Sequence, residues 1–491
     1  MSSVERVRAP RVGVHARLTV ASFVGAGAIV SGCGGDTDGG ACMLPAVADR
    51  LPIQQEAYIK AIAGASTQSS FGAGVAVSGD GSTLVIGAPM DPSGGLGVNA
   101  DPEDRSTPNA GAAYVFVRAG ATWVKQAYLK PSSKSAANKF GWLLAVSKTG
   151  DTLVVGVPED SNPKSKPSLG ATVVFRREGA VWREDAYLRS SQGTGGERFG
   201  SSVALSDDGD TLVVGAPYDA GASSLPCQGE VKPLTSVPLC PGAATVFQRT
   251  NGRWEERAIL SPPDGLTRAS DAFAHMGARV AVSGDGSAVA SLSRKALLVF
   301  RRGTSWTFDA SIEIVPLPPD PEPRWLSLAL SSDGRTIAVG QPRTERVEVF
   351  TRQDAAILRS AIVRPLSSRP AAYFGWNVAL SSSGTHLAVS AWLDDSGSGG
   401  TNPSPCAGPK TDGAGAAFLF AADAAGEWKE RAFLKARVVH VNAGFGDSLA
   451  LDGAGTTLVV GAPGDPSAAS GIDGDENDAS TPSAGAAYVF R

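Results

Sequence analysis

Apolar and polar positions alternate in short runs along most of the chain, and the runs recur as a set. Phe71-Gly72-Ala73-Gly74-Val75-Ala76-Val77-Ser78 is echoed by Phe199-Gly200-Ser201-Ser202-Val203-Ala204-Leu205-Ser206, and further copies begin at Phe140, Met276, Arg324, Phe374 and Phe445. Each copy continues through a Gly-containing turn into a β-branched run such as Thr83-Leu84-Val85-Ile86-Gly87-Ala88-Pro89. A third run follows a loop of variable length, as in Gly111-Ala112-Ala113-Tyr114-Val115-Phe116. A fourth opens on Trp and closes on Ala-Tyr-Leu, as in residues 123–129 and 182–188. Such segments, bounded by turn residues, predict four short strands per repeat. Asp80-Gly81, Asp208-Gly209, Asp285-Gly286 and Asp333-Gly334 supply the positive φ of a tight hairpin between the first and second strands. The Pro of Gly-Ala-Pro ends the second strand, because it cannot donate to a ladder. Sustained helical periodicity is absent.

Four antiparallel strands repeated radially predict a β-propeller, and seven copies predict seven blades. The seventh copy reaches Arg491 after its third strand, without a Trp…Ala-Tyr-Leu segment. Residues Gln54-Gln55-Glu56-Ala57-Tyr58-Ile59-Lys60, ahead of the first copy, have that pattern. The expected fold is therefore all-β: seven four-stranded antiparallel blades over residues 52–491, the N-terminal strand completing the last blade. An open solenoid would leave the seventh copy with a bare edge.

The Phe-Gly and Gly-Ala-Pro segments resemble the FG-GAP repeats of the integrin α-subunit propeller and, more closely, its bacterial secreted relatives. The resemblance covers about residues 52–491; it is sharp in copies one, three and seven and worn in copies four and five. Copy four carries Ala290-Ser291-Leu292-Ser293 where Gly-Ala-Pro would stand, and copy five Gly340-Gln341-Pro342. The resemblance implies a ligand face at the end of the propeller that bears the loops between strands two and three. It also implies calcium in acidic loops between strands one and two. Those loops, such as Ser78-Gly79-Asp80-Gly81-Ser82, are too short to offer six to eight oxygens, so calcium is not expected there.

Residues 1–32 read as an address. Arg6, Arg8, Arg11 and Arg17 precede an apolar run from Leu18 to Val30, too short to span a bilayer and suited to a signal peptide. Val30-Ser31-Gly32-Cys33 resembles the lipobox of bacterial lipoproteins, which implies lipidation of Cys33, a tether over residues 33–51, and an exported protein anchored in the cell envelope. Four Cys remain: Cys42, Cys227, Cys240 and Cys406. An oxidising compartment predicts two disulfides. Three pairings are open, with Cys227–Cys240 favoured by proximity and Cys42–Cys406 left over.

Composition narrows the function. With 59 Gly and 32 Pro the chain is turn-rich, and 42% hydrophobic residues suffice for a core. A net charge of −4 argues against nucleic-acid binding. Copies one and seven align without a gap through the loop between strands two and three, placing Asp91, Asp101 and Asp104 over Asp465, Asp475 and Asp478; Asp473 and Glu476 join the second set. These carboxylates are the calcium candidates, with solvated turn residues as the plainer reading. Trp123, Trp182, Trp254, Trp306 and Trp428 recur at one position and read as packing, whereas Trp142 and Trp376 are ligand candidates. No Gly-x-Ser-x-Gly elbow, phosphate loop or His-Glu-x-x-His helix occurs. The expectation is a monomeric, non-catalytic, lipid-anchored binding or adhesion module with a protein or glycan ligand on the long-loop face and no cofactor. A structural part of an envelope assembly and a propeller hydrolase or lyase are the alternatives.

Overall fold

A computed structural model describes residues 5–7, 50–61, 68–133, 139–160, 170–193, 196–219, 240–263, 273–314, 326–367, 372–406 and 408–491. The β-branched runs form strands at the predicted places and assemble into seven antiparallel sheets. Blade one is Gly74–Val77, Thr83–Ala88, Ala112–Ala119 and Thr122–Leu129, ordered from the axis outward. Blade seven is Ser448–Leu451, Leu458–Ala462 and Ala486–Phe490, with Gln55–Ile59 as its outer strand. Tyr58 pairs with Tyr488 in antiparallel register, their rings 5.2 Å apart, so the ring closes as expected. A further three-residue strand, Glu5–Val7, runs parallel to Ala258–Leu260 on the outer edge of blade three.

The repeat motif has a packing cause. Four of the five Phe residues of Phe-Gly bridge the Gly that opens strand three of the preceding blade: Phe140 with Gly111, Phe199 with Gly170, Phe445 with Gly415, Phe71 with Gly485. Phe374, behind Glu345 rather than Gly, instead pairs with Ala391 of its own blade. The Phe rings are fully buried between sheets. The Gly that follows takes φ of +89° at Gly72 and +100° at Gly141, and lies against the Gly of Gly-Ala-Pro in its neighbour. Ser390 replaces that Gly in blade six and Ser291 in blade four, where its hydroxyl accepts the Gly277 N–H at 3.0 Å.

The blades are stitched again at the hairpin end. A belt of backbone hydrogen bonds runs Lys148→Asp207→Gly284→Ser332→Ser382→Gly453→Gly79, each N–H donating to the next carbonyl at 2.8–3.0 Å. The Asp80 N–H completes it onto the Lys148 carbonyl at 2.9 Å. This belt surrounds one mouth of the central channel.

Candidate functional site

The hairpin mouth holds a cavity of about 140 Å³ lined by the belt and by Val77, Val146, Leu205, Leu330, Leu380 and Leu451. Lys148 Nζ lies 3.6 Å from an Asp207 carboxylate oxygen, and Ser332 Oγ donates to the other oxygen at 3.2 Å. The neighbouring hairpin acids serve their own turns. Asp80 Oδ1 accepts the Ser82 N–H at 2.9 Å, and the Ser78 hydroxyl accepts the Thr83 N–H at 2.9 Å. Ser206 with Asp208, Ser283 with Asp285, and Ser331 with Asp333 repeat the device.

On the opposite face the carboxylates do not converge. Asp91 is fully buried and accepts from the Tyr128 hydroxyl at 2.9 Å, the Tyr114 hydroxyl at 3.1 Å and the Ser93 N–H at 2.9 Å, with Lys130 at 3.8 Å. Asp465 repeats this with Tyr58, Tyr488, Ser467 and Lys60, the ammonium lying 2.8 Å away. Asp394 and Lys435 form the same buried pair in blade six at 2.9 Å, without tyrosines. Asp160 pairs with Arg189 in blade two. The acid that follows strand two thus grips the base that follows strand four, and holds the root of each loop to its own blade. Burial drives both Lys60 and Lys130 below the ordinary lysine range, and their aspartates pull the other way.

The remaining loop acids turn back on their own chain. Asp101 accepts the Glu103 N–H, Asp104 the Ser106 N–H, Asp475 the Asn477 N–H and Asp478 the Ser480 N–H, each at 2.9 Å. Asp473, at φ +56°, exchanges two hydrogen bonds with Tyr58: its own N–H donates at 2.7 Å and its carboxylate accepts at 3.0 Å. Asn99 does the same for Tyr128 and Asn402 for Phe433. These three residues fold long loops over the outer strands and cover bare edges. Among the described residues, no three His, Cys, Asp or Glu side chains are placed to hold one ion, so the calcium candidates are not brought together.

The recurrent Trp residues pack as expected. The Arg118 guanidinium lies 4.4 Å from the Trp123 ring centroid, Trp182 Nε1 donates to Gln126 at 2.8 Å, and Trp254 Nε1 donates to Asp185 at 2.9 Å. Each of these last two bonds reaches the preceding blade. The histidines stay apart: His275 is buried against Tyr218, His386 lies in strand two of blade six, and His440 Nε2 contacts the Glu476 carbonyl at 2.8 Å. Cys240 and Cys406 are disulfide-bonded, while Cys33, Cys42 and Cys227 lie outside the described residues.

One group with chemical character stands at the long-loop end, where the innermost strands of blades six and seven begin. Trp142 and Trp376 occupy the same repeat position, immediately before strand one or at its start, in blades two and six; these blades are not neighbours. Trp142 is 46% exposed, with Lys139 Nζ 5.6 Å from its ring. Trp376 stacks on Trp392 at 5.0 Å and donates its Nε1–H to the backbone carbonyl of Asp447 at 3.2 Å. Asn377 Nδ2 donates to the same carbonyl at 2.5 Å. Asp447, the matching residue of blade seven, is half-buried. Burial pushes its carboxyl up to about 6, against a weaker opposing hydrogen bond from Trp376. The Nε1–H of Trp392 is buried and has no acceptor among the described residues. Sequence reasoning found Trp376 but passed over Asp447, which reads there as one more polar residue after Phe-Gly.

Residues 182–228 match the FG-GAP repeat family model. They run from the outer strand of blade two into the loop after strand two of blade three. No curated protein matches the chain. Among solved structures it is similar to a Pseudomonas aeruginosa periplasmic gluconolactonase at 14% identity, over 84% of this chain and 89% of that one, with a TM-score of 0.44. A Bacteroides uniformis protein assigned as a 6-phosphogluconolactonase gives 14% identity, 71% and 84% coverage, and 0.42. Kuenenia stuttgartiensis hydrazine synthase gives 13%, 66% and 73%, and 0.40. The expectation of a non-catalytic binding or adhesion module does not hold. The similar structures reported above include a gluconolactonase and a protein assigned as a 6-phosphogluconolactonase, and the loop carboxylates read as calcium candidates bond within their own blades. The chain carries an FG-GAP repeat, and carries it within a seven-bladed β-propeller.

Proposed function

We propose that the chain is a hydrolase of small carboxylic esters or lactones, acting at the long-loop end between blades six and seven. The observation that carries this reading is Asp447, a half-buried carboxyl whose acidity is shifted to about 6 beside a tryptophan pair. A group of that acidity is ionised at neutral pH, yet basic enough to take a proton from water. In the proposed step the Asp447 carboxylate removes a proton from water as the water oxygen bonds to the substrate carbonyl carbon. The acyl C–O bond then breaks, and the proton passes from Asp447 to the departing alkoxide.

The test is a rate measurement on purified protein with sugar δ-lactones and p-nitrophenyl esters. Hydrolysis should rise with pH around a midpoint near 6. Asp447→Asn should lower kcat by about 10²- to 10⁴-fold. Turnover no faster than the uncatalysed reaction across the panel, or full activity in Asp447→Asn, would refute the reading. Export and anchoring through Cys33 belong to the same proposal; Cys33→Ala should move the protein from the membrane fraction to the soluble one.

A further inference from the structure

The outer edges of the blades are unequally covered. Asn99, Asn402 and Asp473 latch loops onto the outer strands of blades one, six and seven. Glu5–Val7 adds a fifth strand to blade three. Blade five has neither device. Its loop between strands two and three is a single turn, Pro342–Thr344, and among the described residues no segment pairs with the free side of its outer strand, Ala356–Val363.

That strand is apolar where it is bare. Leu358 is 41% exposed, Ile362 46%, and Leu366 just beyond it 48%. Leu358 pairs with Thr351 and Ile362 with Glu348, so the two side chains leave opposite faces of the sheet. Arg359 is the strand's only charge, and Arg364 follows it. Arg359 reaches the buried Glu348 at 3.5 Å, a carboxylate that Arg346 also contacts at 2.8 Å. The hairpin end carries Asp354. Among the described residues the outer strands of blades two and four are also unpaired on their free side, but they carry Glu184, Asp185, Asp309 and Glu313. The edge of blade five is the aliphatic and basic one, in a chain of net charge −4.

We infer that the outer edge of blade five is a docking site for an extended acidic peptide, added as a fifth strand. Unpaired N–H and C=O groups along Ala356–Val363 would hold the peptide backbone. Alternate peptide side chains would fall beside Leu358 on one face and Ile362 on the other, with an acid near Arg359. This surface is on the outside of the ring and does not depend on the Asp447 reading.

The experiment is hydrogen exchange on the full chain with an eight-residue peptide alternating Val and Glu, and with its Val and Lys counterpart. The acidic peptide should slow exchange across residues 356–363, and the basic one should not. Arg359→Gln, which leaves Arg346 on the buried Glu348 and whose fold is checked by its melting curve, should weaken the acidic peptide about tenfold without favouring the basic one. Equal protection by both peptides, protection elsewhere, or none at millimolar peptide would overturn the inference. So would protection of residues 356–363 without peptide in a dimer seen by sedimentation, which would make a second copy the occupant.

Discussion

Gly87 and Gly141 stand so close that a methyl group placed on Gly87 would lie 1.7 Å from the Gly141 carbonyl oxygen. The same approach recurs between Gly461 and Gly72 at 1.9 Å, across the junction where the ring closes. The two glycines of the repeat motif are therefore partners in one contact between neighbouring blades. Gly87→Ala must push the sheets apart or break the Phe140 bridge. A loss of at least about 2 kcal/mol is expected, read as a lower thermal midpoint. Gly120→Ala, in a surface hairpin with open space around its Cα, should cost less despite its positive φ.

The buried acid–base pairs make a second prediction. Lys60 and Asp465 are 2% and 1% exposed, so Lys60→Met leaves a buried carboxylate without its cation. The expected cost is about 3–5 kcal/mol, measured by denaturant unfolding. The double variant Lys60→Met with Asp465→Leu should recover part of that loss. A double variant as unstable as the single one would mean that the pair does not act as a unit.

The sequence made the ring legible because its signals were local. Asp-Gly hairpins, β-branched runs and the Ala-Tyr-Leu strand ahead of copy one each dictate one element, and their repetition dictates closure. Asp91 and Asp465 also stood out, but their meaning depended on Lys130 and Lys60, which follow strand four at a distance only the folded blade removes. The recurrence of an acid after strand two and a base after strand four, at Asp160 with Arg189 and Asp394 with Lys435, was present in the repeats and would have revealed the pairing. Asp447 was not legible at all. Its character comes from burial beside Trp376, a residue of another blade.

Metal removal should leave the loops intact. Asp91 and Asp465 have their oxygens occupied by tyrosine hydroxyls, backbone N–H groups and lysine. A chelator is expected to leave the melting temperature unchanged, and added calcium should not raise it. A calcium-dependent shift would show that the loop acids rearrange around the ion.

Asp447 predicts a pH dependence of stability. Its folded carboxyl titrates near 6 against an ordinary 3.8, so the native chain holds this proton more tightly than the unfolded one. The stabilisation this gives is complete below the ordinary value and is lost as pH rises through about 6. Asp447→Asn should remove that decline, so its melting temperature should change less between pH 4 and pH 6 than that of the parent chain. Identical profiles for the two proteins would contradict this.

The most direct measurement is a carbon-detected titration of the aspartate carboxyls, with Asp447→Asn used to assign the resonance. One carboxyl, missing in the variant, should titrate near 6. If the resonance lost in the variant instead titrates near 4, as an ordinary aspartate does, Asp447 is no proton carrier and the proposed chemistry fails.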